Sequence, residues 1–207
     1  MNDTLPTISI DLTLDRSTTK DVLNGILHSI LFHRLFGTIK PRTFEVLDVT
    51  MPGVSDPAIE QLVNDKVEAF WKGMENGFNK HGQINVFFSE KRPKKSWFQV
   101  YMGEEEVPWE KWVVNVELTQ SKDEKERQAF NQELANTLTK SLQVMLMHTV
   151  SERGRTAVPL ITDAGSISPF PIHNLDSILV DLMIFAKVVA RKLCSTTHPQ
   201  TYRVITW

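Results

Sequence analysis

Cysteine is almost missing from this 207-residue chain. Cys194 stands alone, so an intrachain disulfide framework and a thiolate zinc cluster are both excluded, and a reducing compartment is expected. Charge of one sign is lacking as well. The 23 Lys and Arg residues nearly balance 25 Asp and Glu, for a formal net charge of −2 and a pI near 6.3. That balance offers no general attraction for nucleic acid or for an anionic membrane. Long apolar runs are absent too: the most hydrophobic stretch, Ile178 to Ala190, is about half of what a bilayer span needs and carries Asp181 and Lys187. The opening MNDTLPTISIDLTLDRS has neither the basic start nor the unbroken apolar core of a signal peptide, so the expectation is a soluble, cytoplasmic chain.

The motifs of common catalysts are missing: there is no G-x-S-x-G elbow, no P-loop, no dinucleotide glycine pattern and no H-E-x-x-H. The six histidines (28, 33, 81, 148, 173 and 198) are scattered. His28 and His33 lie five residues apart on one predicted helix, on poorly matched faces for a shared metal, and they read as capping or surface residues. Cys194, with His198 nearby, has the types needed for a thioester nucleophile, but a lone cysteine at the end of an apolar helix reads first as a packing residue. Glu104-Glu105-Glu106 reads as solvated carboxylates, and Lys91-Arg92-Pro93-Lys94-Lys95 as a solvated strand end. No enzyme, cofactor or metal is expected.

What is present suits one α+β domain over residues 1–207, with 41% hydrophobic residues to fill a single core. Residues 7–14 alternate with period two, as a half-buried strand does. Ser17 or Thr18 is expected to cap a helix that runs to about Phe36, buries Val22, Leu23, Ile26, Leu27, Ile30 and Leu31, and stops at Gly37. Thr43 to Val49 reads as a strand ended by a Met51-Pro52-Gly53 turn, and Asp56-Pro57 opens a second helix. Gln83–Ser89 and Trp109–Leu118 read as strands. Ser121 with Glu124 reads as a capping box on a long helix with Phe130, Leu134, Leu138, Leu142 and Met145 inward. Residues 154–173 read as a loop, Asn174 to Leu193 as a hydrophobic helix, and the final TYRVITW as a last strand.

The segment from Lys91 to Pro108 reads as a long loop that contains Trp97, Phe98, Val100, Tyr101 and Met102 between basic and acidic flanks. Those flanks favour a loop held in water with Trp97 and Phe98 as an exposed contact patch; the alternative is that both rings fold back onto the domain as a satellite core. Two such rings bury on the order of 300–400 Å², about 8–10 kcal/mol gross. Association itself costs about 4–15 kcal/mol, so the loop needs a second contact to bind firmly.

Several stretches carry a family resemblance. TISIDLTLDRSTTKDVLNGILHSILFHRLFG, GQINVFFSEKRPKKSWF, VPWEKWVVNVEL, DEKERQAF and the closing HPQTYRVITW are similar to the autophagy-related protein 101 family of HORMA domains. VPWEKW (107–112) is the most specific part. The resemblance covers most of residues 7–150 and the last ten. It implies a single HORMA domain, with a mixed or antiparallel sheet packed against long helices and the C-terminal segment in an open-like state. It also implies a non-enzymatic scaffold of the autophagy-initiation kinase complex, located in the cytoplasm and at the phagophore assembly site. Such a scaffold forms a heterodimer with, and stabilises, a second HORMA-domain protein, autophagy-related protein 13. A Trp-Phe finger, here Trp97 and Phe98, recruits downstream autophagy proteins. Two departures stand out: the rings are adjacent where relatives place a proline between them, and the chain ends at Trp207 where relatives continue. HORMA pairing through the long central helix makes Val144, Leu146 and Met147 the expected dimer face. The alternative is a HORMA adaptor of the checkpoint or DNA-repair type that clamps a peptide.

Overall fold

The computed structural model of the chain describes residues 5–35, 40–76, 80–93, 104–121, 123–159 and 178–185, with backbone alone for 76, 91–93, 104 and 178–185. In chain order the elements are β1 (Thr7–Leu14), α1 (Thr19–Arg34), β2 (Pro41–Val46), β3 (Val49–Val54), α2 (Pro57–Asn76), β4 (His81–Pro93), β5 (Glu104–Leu118), α3 (Glu124–Val150), α4 (Glu152–Thr156) and β6 (Ile178–Phe185). The fold is α+β, with one mixed sheet in the order β1-β5-β4-β6 and a separate β2-β3 pair. β1 runs parallel to β5, while β4 is antiparallel to both β5 and β6.

The alternation of β1 sends Ile8, Ile10, Leu12 and Leu14 inward, where they join Ile84, Val86 and Phe88 of β4 and Trp112, Val114 and Val116 of β5. The helices close the same core. α1 is the central one: all six residues of its expected apolar stripe are buried, and so are Thr19, Gly25, His28 and Ser29. Burying that stripe contributes on the order of 10 kcal/mol gross. α2 adds Ile59, Val63, Val67, Phe70 and Met74, and α3 adds Leu134, Leu138 and Met145.

The caps differ from the sequence reading in instructive ways. Thr18 occupies the N-cap position of α1 without a side-chain bond. Asp15 works instead: its Oδ1 accepts the backbone N–H groups of Ser17 and Thr18, both at 2.9 Å, and both hydroxyls. Burial alone would raise the Asp15 pKa, but these four hydrogen bonds more than offset it, so the carboxyl titrates below its ordinary range. Asp56 caps α2 as expected, accepting from Ala58 and Ile59. Asp123, not Ser121, caps α3 by accepting from the Glu126 N–H at 2.8 Å. Its charge also suits the positive end of the helix dipole.

Three expected elements are revised. Met51-Pro52-Gly53 is not a turn but the middle of β3; the chain reverses at Leu47 and Asp48, both with positive φ (49° and 61°). The loop expected over 91–108 is strand at both ends, over 91–93 and 104–108, because the β4–β5 ladder continues to Pro93 opposite Glu104; residues 94–103 lie outside the described residues. In place of the helix expected from Asn174 to Leu193, residues 178–185 form β6, whose backbone pairs with Gln83 to Glu90 of β4; the rest of that span lies outside the described residues. Within 154–173, residues to Thr156 belong to α4. Gly37, Cys194, His198 and the TYRVITW strand lie outside the described residues.

Candidate functional site

The VPWEKW segment enters the sheet through a β-bulge. Phe88 lies opposite Glu110 and Ser89 opposite Pro108, leaving Trp109 as the extra residue on β5. A bulge breaks the alternation of faces, so Trp109 and Glu110 are consecutive and both buried. The Trp109 ring packs 5.4 Å from that of Phe88. Glu110 is left as a fully buried carboxylate, and four donors converge on it. Arg34, the last residue of α1, gives a bidentate pair, Nε to Oε1 at 2.7 Å and Nη2 to Oε2 at 2.6 Å. The Trp112 indole N–H donates to Oε1 at 2.6 Å, and His148 Nε2 on α3 lies 2.8 Å from Oε2. The Trp112 and His148 rings meet edge to face at 5.6 Å.

The cluster reaches the corner after α3. Arg34 Nη2 also donates to the Gly154 carbonyl at 3.2 Å. Ser151 donates its hydroxyl to the His148 carbonyl and accepts from the Gly154 N–H. A Cβ on Gly154 would stand 1.9 Å from the His148 carbonyl oxygen, so only glycine allows this approach. Both Glu110 oxygens are satisfied and the carboxylate has no exposure to water, while the buried Trp109 indole N–H has no hydrogen-bond partner among the described residues and His148 keeps 15% side-chain exposure. The arrangement holds three elements together.

The far end of β5 carries a second polar chain on the outer sheet face. Asn85 donates to Gln83, Gln83 to Asn115 and Asn115 to Asp11, at 3.2, 2.7 and 2.7 Å. It borders an open groove lined by Asp11, Thr13, His81, Gln83, Asn115 and Glu117.

Trp97 and Phe98 lie outside the described residues, but the hairpin that carries them is described up to Pro93 and from Glu104. Its register sets Lys91 opposite Glu106 and Arg92 opposite Glu105, so the basic and acidic flanks are cross-strand counterparts. Val144, Leu146 and Met147 are exposed, at 43%, 52% and 65%, and Val150 joins them at 54%. His28 is not a surface residue. It is buried in α1 with its ring 4.6 Å from Phe44, and burial holds its pKa below the ordinary value, with Arg42 adding to the shift and Glu60 opposing it. Burial and the neighbouring Arg34 charge lower His33 in the same direction. The sequence reading passed over Arg34, Glu110 and His148; the one available sign was Glu110 between two tryptophans in an apolar strand.

The family described as Autophagy-related protein 101 matches residues 11–165. The chain belongs to that family. The match contains the whole Glu110 cluster and ends before β6. Among curated members, Autophagy-related protein 101 of Schizosaccharomyces pombe is 30% identical over 130 residues, covering 62% of this chain and 68% of the relative. The Arabidopsis thaliana member is 32% identical over 113 residues, covering 53% and 51%. The Homo sapiens member is 23% identical over 149 residues, covering 64% and 66%. The matches thus span between half and about two thirds of those relatives' lengths. Among the described residues no helix is long and apolar enough to cross a membrane.

Proposed function

We propose that this chain is a non-enzymatic HORMA-domain scaffold of the autophagy-initiation kinase complex, acting in the cytoplasm and at the phagophore assembly site. Its α3 face, Val144, Leu146 and Met147 with Val150, pairs with the HORMA domain of autophagy-related protein 13 and stabilises it. Trp97 and Phe98, in the segment between β4 and β5, recruit downstream autophagy proteins. The observation that carries the pairing is the exposure of four large apolar residues within the last two turns of one helix, where a solvated helix end ordinarily carries polar side chains. The finger is supported by the hairpin ladder, which runs to within a few residues of both rings.

The two surfaces separate in one experiment: affinity capture with the unaltered chain, with Leu146→Asp plus Met147→Asp, and with Trp97→Ala plus Phe98→Ala. The aspartates are expected to lose the HORMA partner and keep the finger ligands, and the alanines to do the reverse. Normal partner capture by the double aspartate would remove α3 from the pairing. An unfolded double alanine would make Trp97 and Phe98 core residues.

A further inference from the structure

The inward positions of α3 run Leu134, Leu138, Ser141 and Met145, and the next position with that spacing is His148. The apolar seam therefore ends one turn before the helix does. Beyond Met145 the helix is tied to the body through His148, by its bond to Glu110 and its ring contact with Trp112. The corner that follows is held by Arg34 to Gly154 and by Ala157 and Val158 against the core, while Ser151 bonds only within the corner. That same last stretch carries the exposed Leu146, Met147 and Val150. A last turn whose inward side chain is polar opens more readily than one that continues the apolar seam, and an open turn presents no fixed surface.

We propose that His148 is a positioning residue: its bond to Glu110 fixes the order and rotation of the last turn of α3, so that the apolar residues on the outer side form a ready-made partner face. This rests on the assignment of that face to the HORMA partner in the preceding section. The bond to Glu110 matters here more than the bulk of the ring. A glutamine at 148 can place an amide N–H where Nε2 stands, while a phenylalanine keeps the aromatic contact with Trp112 and loses the donor.

The test compares the full chain with its His148→Gln, His148→Phe and Met147→Asp variants, measuring affinity for the HORMA partner and amide hydrogen exchange. His148→Phe is expected to weaken binding about tenfold and to speed exchange over residues 146–156, with protection in β4 and β5 unchanged. His148→Gln is expected to bind and exchange as the parent does. Parent-like binding by His148→Phe, alongside lost binding by Met147→Asp, overturns the inference and leaves the face standing. Parent-like binding by Met147→Asp removes the face, and the inference with it. Lost protection in β4 and β5 of His148→Phe would show that His148 supports the whole fold, which also overturns the proposal.

Discussion

The two ends of β5 carry polar chains of similar length and opposite character. At the bulge, Glu110 collects four donors with no exposure to water. Toward the other end, Asn115 links Gln83 to Asp11 on the open face of the sheet. Both tie strands to neighbours across large sequence separations, yet only the first is hard to do without. Water can replace the donor lost at Asn115, which is only part-buried beside the exposed Asp11, although Asn85 at the inner end of that chain is buried. Water cannot take the place of Arg34 beside Glu110, because both side chains are buried.

The largest expected effect is therefore at Glu110. Glu110→Ala leaves Arg34 charged and buried without its counter-ion, and should cost about 3–5 kcal/mol, read from the urea midpoint. A cost near zero would erase the contrast between the two ends. The next effect concerns a buried polar group that lacks full satisfaction. His28 Nδ1 has no hydrogen-bond partner among the described residues, and the folded state lowers the pKa of that ring and of His33. Folding thus favours the neutral rings. The unfolded chain binds more protons below about pH 6.5, so stability is intact above that value and falls as the solution is acidified through it. Urea midpoints at pH 7.5 and 5.5 should show the loss, and His28→Phe should reduce it. The smallest effect belongs to the wet chain: Asn115→Ala should cost less than about 1 kcal/mol in the same assay. A cost as large as that at Glu110 would mean the outer face of the sheet is covered.

Elements whose pattern is local were legible in the sequence. The β1 alternation matches its buried positions residue for residue, and all six residues of the α1 stripe are buried, though α1 also buries Thr19, Gly25, His28, Ser29 and Arg34. What failed depends on information from elsewhere in the chain. The β2–β3 reversal uses Leu47 and Asp48 in positive φ with neither glycine nor asparagine to mark it, whereas Pro52-Gly53 imitates a turn inside a strand. ILVDLMIF is apolar enough for a buried helix or a buried strand, and its place on the edge of β4 decides between them. The Glu110 cluster joins residues 76, 38 and 120 positions apart, so no window along the chain could contain it. VPWEKW stood out as the most specific part of the resemblance, and the bulge gives that a physical basis: within six residues it supplies two buried indoles and the one carboxylate at the centre of the cluster.

The long hairpin has a geometric consequence. Among the described residues β1 pairs with β5 from Lys111 onward and β6 pairs with β4 up to Glu90, so residues 91–93 and 104–106 form a two-stranded arm past the described sheet. At about 3.3 Å per residue, three rungs set the roots of segment 94–103 about 10 Å beyond the body. A protein that grips that segment can do so at arm's length, leaving the helical side of the domain clear for another occupant at the same time.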